Sequence, residues 1–280
     1  MKRILFFGPL VPILLILYML SPWSEQHVRW AAYYSGIQPE DAFYGFKLLI
    51  LDRDDHPPIA SLQKGRTLLG YISVGEAEKA RGYFDRLQKQ GLLVAENVNW
   101  PGSFYVDVRS PQWPEEIKTL VRHVVNQGFN GVFLDTVDDA EYLENRDPDS
   151  CRGMKDAMAQ LILDVRREFP DISIAVNRGY SILPQIDTSI DYVLGESVRA
   201  GYDFAAKTYR RIPEEQYLEQ VETLKAAKRR NPKLTILTLD YWSPDDAKGI
   251  SRIYQEQRDN GFSPYVATLK LDELIQEPAR

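Results

Sequence analysis

The sequence predicts an α/β fold, a (β/α)8 barrel preceded by a hydrophobic N-terminal signal or anchor segment, and three observations carry that prediction. Apolar runs of strand length recur eight times after the first 26 residues, as expected of strands buried on both faces. Helical stretches with recognisable start and stop residues lie between several of them. Six of the runs lead straight into an acid, an amide or a tyrosine, the sharpest being Gly131-Val132-Phe133-Leu134-Asp135 and Tyr192-Val193-Leu194-Gly195-Glu196. A polar residue at the C-terminal end of a buried strand emerges at the rim, where a parallel barrel places its active site.

The 280 residues suit one such barrel, which needs about 250. Neither a Ser/Gly-rich linker nor a low-complexity tract divides the chain. Two parts are expected: residues 1–25 as signal peptide or signal anchor, and residues 26–280 as the barrel domain. Lys2 and Arg3 precede an apolar run at 4–20, followed by Ser21, Pro22, Trp23, Ser24 and Glu25, the layout of an export signal. The run approaches the length of a bilayer span, Tyr18 and Trp23 suit the far interface, and no small-x-small cleavage site follows. The expectation is an exported protein, anchored in the membrane through this segment alone and facing the periplasm or cell exterior, or secreted if the leader is cleaved. Pro9 and Pro12 count against a straight spanning helix.

In chain order, strands are expected at residues 30–34, 47–51, 68–74, 131–134, 172–176, 192–194, 234–239 and 265–269. Phe104-Tyr105-Val106-Asp107-Val108 also reads as a strand and is placed in the long excursion between the third and fourth. Pro114, Glu115 and Glu116 open a helix that closes at Gly128, and its stripe of Ile117, Leu120, Val121, Val124 and Val125 leaves His123 towards solvent. The helix from Pro213 starts with Glu214 and Glu215 and ends with Lys225, Lys228, Arg229 and Arg230, a gradient that complements the helix dipole. Its apolar positions are Tyr217, Leu218, Val221 and Leu224. Ser243, as N-cap, with Pro244, Asp245 and Asp246 opens the last helix, and Gly261 ends it.

Gln127-Gly128-Phe129 and Asn260-Gly261-Phe262 leave their helices alike: the glycine takes a left-handed cap and the phenylalanine packs back on the last turn. Such repeats imply βα units with right-handed crossovers, hence a parallel sheet. Eight units favour closure over a doubly wound open sheet, since no glycine-rich dinucleotide fingerprint follows the first strand.

Composition narrows the chemistry. A formal net charge of -6, from 34 basic and 40 acidic side chains, makes nucleic acid a poor partner. The single cysteine, Cys151, excludes an intrachain disulfide and a thiolate metal site. His27, His56 and His123 lack metal-ligand spacing, so neither metal nor cofactor is expected. The acidic surface tolerates a cationic ligand, with plain solvation as the first reading.

The expected strand ends carry Tyr34, Asp52, Glu76, Asp135, Asn177, Glu196, and Asp240 with Tyr241. Without metal ligands or a Ser or Cys nucleophile, such a rim supports acid, base and carboxylate-nucleophile chemistry, of which glycoside hydrolysis is the leading instance. Asp135 and Glu196 are the candidate catalytic pair. Tyr34, Asp52, Glu76, Asp138, Asn177, Asp240 and Tyr241 are the candidate substrate contacts. Each has a plainer reading. Asp135 could cap a turn, and Asp138 and Asp139 could start a helix, with Asp138 also suited to a sugar hydroxyl. Glu76 and Glu78 could be first-turn helix acids, and Glu76 is chosen for lying nearer the strand end. Asn177 could satisfy its own loop, and Tyr34, Tyr71, Tyr241 and Trp242 serve in cores as readily as on sugar platforms.

These blocks carry a resemblance. Trp30-Ala31-Ala32-Tyr33-Tyr34, Leu49-Ile50-Leu51-Asp52, Gly70-Tyr71-Ile72-Ser73-Val74-Gly75-Glu76-Ala77-Glu78, Gly128-Phe129-Asn130-Gly131-Val132-Phe133-Leu134-Asp135-Thr136-Val137-Asp138, Val176-Asn177-Arg178-Gly179 and Gly195-Glu196-Ser197 resemble the ordered motifs of glycoside hydrolase family 114. The likeness spans most of residues 30–270. It implies a (β/α)8 TIM barrel and endo-acting hydrolysis of α-1,4-linked galactosamine-containing polysaccharide. It implies catalysis by the acids after the fourth and sixth strands, here Asp135 and Glu196, where strand counting also places them. Likeness to related α-glycosidase barrels implies Asp135 as nucleophile and Glu196 as acid/base, with retention. Asn130 stands where the family block usually has Asp, and Tyr33-Tyr34 resembles a divergent branch. Two other readings fit the rim: a barrel that binds polysaccharide without cleaving it, against which the presence of both acids argues, and a glycosidase for neutral or peptidoglycan-like glycan.

Overall fold

The computed structural model describes residues 27–278. The expected leader at 1–25 lies outside the described residues. Eight parallel strands form one sheet in sequence order: β1 (Trp30–Tyr33), β2 (Leu48–Asp52), β3 (Thr67–Ser73), β4 (Gly131–Asp135), β5 (Ser173–Asn177), β6 (Tyr192–Glu196), β7 (Thr235–Tyr241) and β8 (Ser263–Ala267). The two ends of the sheet meet. The Trp30 indole Nε1 donates to the Ser263 carbonyl at 2.7 Å, and the Tyr34 N–H donates to the Leu271 carbonyl at 2.8 Å. This is the (β/α)8 TIM barrel expected from the sequence.

The strands are buried on both faces, so their residues run apolar without alternation, as in Leu48, Leu49, Ile50 and Leu51 of β2. Gly131 opens β4 because a Cβ there would lie 1.9 Å from the Ser173 carbonyl oxygen of β5. The last strand begins two residues earlier than expected, at Ser263 opposite Leu237. Pro264 looks like a breaker in the sequence, but it occupies the second position of a strand with a ladder partner on one side only, where a missing N–H is tolerated.

Among the described residues, five helices of eight residues or more pack outside: α1 (Gln112–Asn126), α2 (Asp139–Arg146), α3 (Met154–Glu168), α4 (Glu214–Arg230) and α5 (Ala247–Asp259). In α4 the buried positions are Tyr217, Val221, Leu224 and Ala227, and Leu218 is 54% exposed. The stripe keeps helical spacing and Leu218 falls beyond its edge. The N-cap of α5 is Asp246, not Ser243: its carboxylate accepts the Gly249 N–H at 2.9 Å, while the Ser243 carbonyl serves a turn before the helix. Among the described residues, no helix is long and apolar enough to cross a membrane.

Two excursions rise from the C-terminal rim. Between β3 and α1 lies an antiparallel sheet of Glu76–Glu78, Leu93–Glu96 and Ser103–Val106, which contains the extra strand expected there. After β6 comes a hairpin of Ala200–Asp203 and Thr208–Arg211, whose four-residue strands are too short to show a period in sequence.

Candidate active site

Three consecutive strands end in Asp135, Asn177 and Glu196. Nδ2 of Asn177 donates to Oδ1 of Asp135 at 2.8 Å and to Oε2 of Glu196 at 2.6 Å. Two carboxylates offer only acceptors, so they fix which way the buried amide points. After each of the three residues the chain turns through a left-handed, non-glycine position: Thr136 at φ 61, Arg178 at φ 54 and Ser197 at φ 53. Such positions are strained and persist where surrounding bonds hold them. At Thr136 the hydroxyl donates to the Asp135 carbonyl at 2.6 Å and accepts the Gly75 N–H at 2.8 Å.

Tyrosines line the rest of the pair. The Tyr241 hydroxyl, at the end of β7, donates to Oε1 of Glu196 at 2.6 Å. The Tyr71 hydroxyl, from within β3, donates to Asp135. Tyr34 packs edge to face on Tyr71 with centroids 5.2 Å apart. Burial, then the charges of the nearby acids, push all three hydroxyls well above the ordinary tyrosine range, so they remain proton donors. Burial also pushes the Asp135 carboxyl up to about 7, and the charge of Glu196 adds to the shift. Two acids bonded to one nitrogen ionise in coupled steps, and Asp135 keeps its proton up towards neutrality.

The other candidates lie elsewhere. Asp52 is at the end of β2, but its Oδ2 pairs with Arg81 at 2.7 Å and its Oδ1 accepts the N–H groups of Asp54 and Asp55. Asp138 sits at the rim with Arg178 Nε 3.4 Å from its Oδ2. Glu76 is not an open contact on the barrel rim. It belongs to the excursion sheet, is 4% exposed, and accepts from Asn97 Nδ2 at 2.6 Å and from Ser103 Oγ. Beside it Asp139 is pushed up to about 10 by burial and by the Glu76 charge, and as a protonated acid it hydrogen-bonds Glu76. Asp240 is fully enclosed and accepts from the N–H groups of Arg199 at 2.6 Å and Ala200 at 2.8 Å and from Gln257 Nε2 at 2.7 Å. It precedes Tyr241 by one residue, so strand alternation sends it to the helix layer and Tyr241 to the mouth.

The structure therefore brings together Tyr34, Asp135, Asn177, Glu196 and Tyr241, keeps Asp52 and Asp138 at the rim in ion pairs, and uses Glu76 and Asp240 as internal anchors. Tyr71, weighed in the sequence as a core or sugar-platform aromatic but not placed among the substrate contacts, joins the site; its signal was a hydroxyl-tipped ring inside the apolar run of β3. Among the described residues, no group of three or more His, Cys, Asp or Glu is arranged to hold a metal ion.

The fold is similar to the glycoside hydrolase domain of PelA from Pseudomonas aeruginosa, with a TM-score of 0.79 and 26% identity over 90% of this chain and 98% of that one. It is also similar in fold to Ega3 of Aspergillus fumigatus, solved in complex with galactosamine, with a TM-score of 0.69 and 14% identity over 90% of this chain and 95% of that one. An uncharacterized protein of Thermotoga maritima is 31% identical in an alignment 225 positions long that covers 74% of this chain and 67% of that protein. The profile of glycoside-hydrolase family GH114 matches residues 19–280, a span that takes in the whole barrel and its rim. The chain therefore belongs to family GH114 and is a glycoside hydrolase.

Proposed function

We propose that this glycoside hydrolase cleaves α-1,4-linked galactosamine-containing polysaccharide between Asp135 and Glu196, with retention of anomeric configuration. The observation that carries the proposal is the shared nitrogen of Asn177. Two oxygens bonded to one atom can be no further apart than those bonds, 2.8 and 2.6 Å, laid end to end. That ceiling, set on one oxygen of each carboxyl, favours the roughly 5–5.5 Å separation of a retaining pair over the roughly 6.5–9.5 Å at which an inverting pair admits water.

Glu196 protonates the leaving glycosidic oxygen while the Asp135 carboxylate attacks the anomeric carbon, forming a glycosyl ester. Water then attacks that carbon as Glu196 takes its proton, and Asp135 leaves as carboxylate. Likeness to α-glycosidase barrels supports this division of roles. In the free protein, burial favours the proton on Asp135. A cationic amino sugar beside Asp135 favours its ionised form, the form in which it attacks. The acids at the rim, and the galactosamine held by the similarly folded Ega3, support the choice of substrate. Lys2 and Arg3 ahead of the apolar run at 4–20 support an exported, membrane-anchored placement for the barrel.

The test is reducing-end release from a panel of de-N-acetylated galactosamine polymer, acetylated galactosamine polymer and neutral glycans. Release from the de-N-acetylated polymer, lost in both Asp135→Asn and Glu196→Gln, is expected. Release from neutral glycans alone, or binding without release, contradicts the reading.

A further inference from the structure

Trp100 and Phe204 are large apolar side chains left 51% and 44% exposed at the tips of the two excursions. Their rings meet edge to face with centroids 5.6 Å apart. One excursion leaves the rim after β3 and the other after β6. Strands β4 and β5, bearing Asp135 and Asn177, lie between those departure points, so the contact bridges the mouth of the barrel beside the carboxylate pair.

Both tips are held from below by buried acids that the chemistry does not use. The turn carrying Trp100 closes through Asn97 N–H to the Ser103 carbonyl at 2.8 Å and Trp100 N–H to the Asn97 carbonyl at 3.1 Å. The side chains of Asn97 and Ser103 both grip Glu76, and Glu76 is bonded to Asp139 at the start of α2. Across the mouth, Asp203 Oδ1 accepts the N–H groups of Ala205 and Ala206 around Phe204, and Asp240 clamps the root of the hairpin. Tyr202 extends the patch, its ring 5.3 Å from those of Phe204 and Tyr209. A mobile loop with stray aromatics would show no such anchoring. Rings fixed in advance bind without a further ordering penalty.

We propose that Trp100, Phe204 and Tyr202 form a sugar-stacking subsite that holds the polysaccharide beyond the unit being cleaved. The proposal deepens the reading above and rests on it. The apolar C–H face of a pyranose packs on an aromatic ring, and the ammonium of a galactosamine unit is attracted to the face of a tryptophan in particular. The patch shares its rim with the carboxylates, which favours the continuing glycan over a protein or a bilayer as occupant.

The experiment measures calorimetric affinity for size-graded galactosamine oligomers, with Glu196→Gln in the background to prevent turnover. Trp100→Ala and Phe204→Ala are expected to weaken the longest oligomers about tenfold and the shortest far less. Trp100→Phe should recover most of the loss. Tyr44→Ala, an exposed ring beside the start of β2 at the other end of the barrel, should change nothing. Unchanged affinity in Trp100→Ala, equal loss at every length, or no binding of any oligomer overturns the subsite. Length-dependent, Trp100-dependent binding in a protein whose wild type releases no reducing ends upholds the subsite and sinks the hydrolytic reading instead.

Discussion

Asp135 and Glu196 are tied to a single atom, Nδ2 of Asn177, which donates to both carboxylates from the strand between theirs. A neutral amide can hold two like-charged acids together without adding a charge of its own. Because each acid also receives a tyrosine hydroxyl, from Tyr71 or Tyr241, the pair is fixed from three strands besides its own.

Asn177→Ala is expected to lower kcat about 100-fold while leaving the fold intact, because the carboxylates lose their common positioning group. Turnover of de-N-acetylated polymer, alongside circular dichroism, checks this. Unchanged kcat would show that the strand ends alone position the acids.

The pH dependence follows from the Asp135 proton. The Asp135 carboxyl is raised from 3.8 to about 7 by burial and by Glu196. Below that value Asp135 keeps its proton; above it that carboxyl is ionised and the site loses the proton on which protonation of the leaving oxygen draws. Values of kcat/KM for the polymer should therefore fall as pH rises through about 7. Glu196→Gln removes the neighbouring charge, so carboxyl carbon NMR should find Asp135 titrating lower than in the wild type. An unmoved titration would contradict the coupling.

Asp139 controls stability in the opposite sense to an ordinary surface acid. The folded chain keeps it protonated up to about 10, whereas the free carboxyl releases its proton near 3.8. Between those values the unfolded state binds fewer protons, so this group makes stability fall as pH rises. Asp139→Asn offers Glu76 a donor that does not ionise. In urea unfolding, its stability relative to wild type should grow between about pH 5 and about pH 8; parallel curves would count against a protonated Asp139.

Fold and site were unequally legible. The ends of β4 and β6 could be read because a strand buried on both faces stays apolar until it leaves the core, so Asp135 and Glu196 marked the rim themselves. Asp240 and Tyr241 were adjacent candidates, and only the register of β7 decides which of two neighbours faces the mouth. Glu76 misleads for another reason: it follows β3 closely, but the chain turns at Gly75 into an antiparallel sheet, a tertiary event with no periodic signature. Trp100 and Phe204 are far apart in sequence, and nothing local to either indicates that they meet.

The hairpin anchor can be tested apart from the chemistry. Asp240→Ala leaves the N–H groups of Arg199 and Ala200 and the amide of Gln257 without their acceptor, at about 1–3 kcal/mol for each buried group left unpaired. Trypsin should then cut faster at Lys207 in the hairpin tip, with Asp240→Asn intermediate. Equal cleavage rates would mean the hairpin is held by its own pairing.

The central claim, that Asp135 attacks the sugar within a retaining pair, is tested most directly by trapping the glycosyl ester. A ring-fluorinated galactosaminyl fluoride is incubated with the protein and the peptides are read by mass spectrometry. The account predicts one added sugar, on the peptide carrying Asp135, and none in Asp135→Asn. A label on Glu196, or turnover of the reagent with no covalent adduct and inversion of the product, would contradict it.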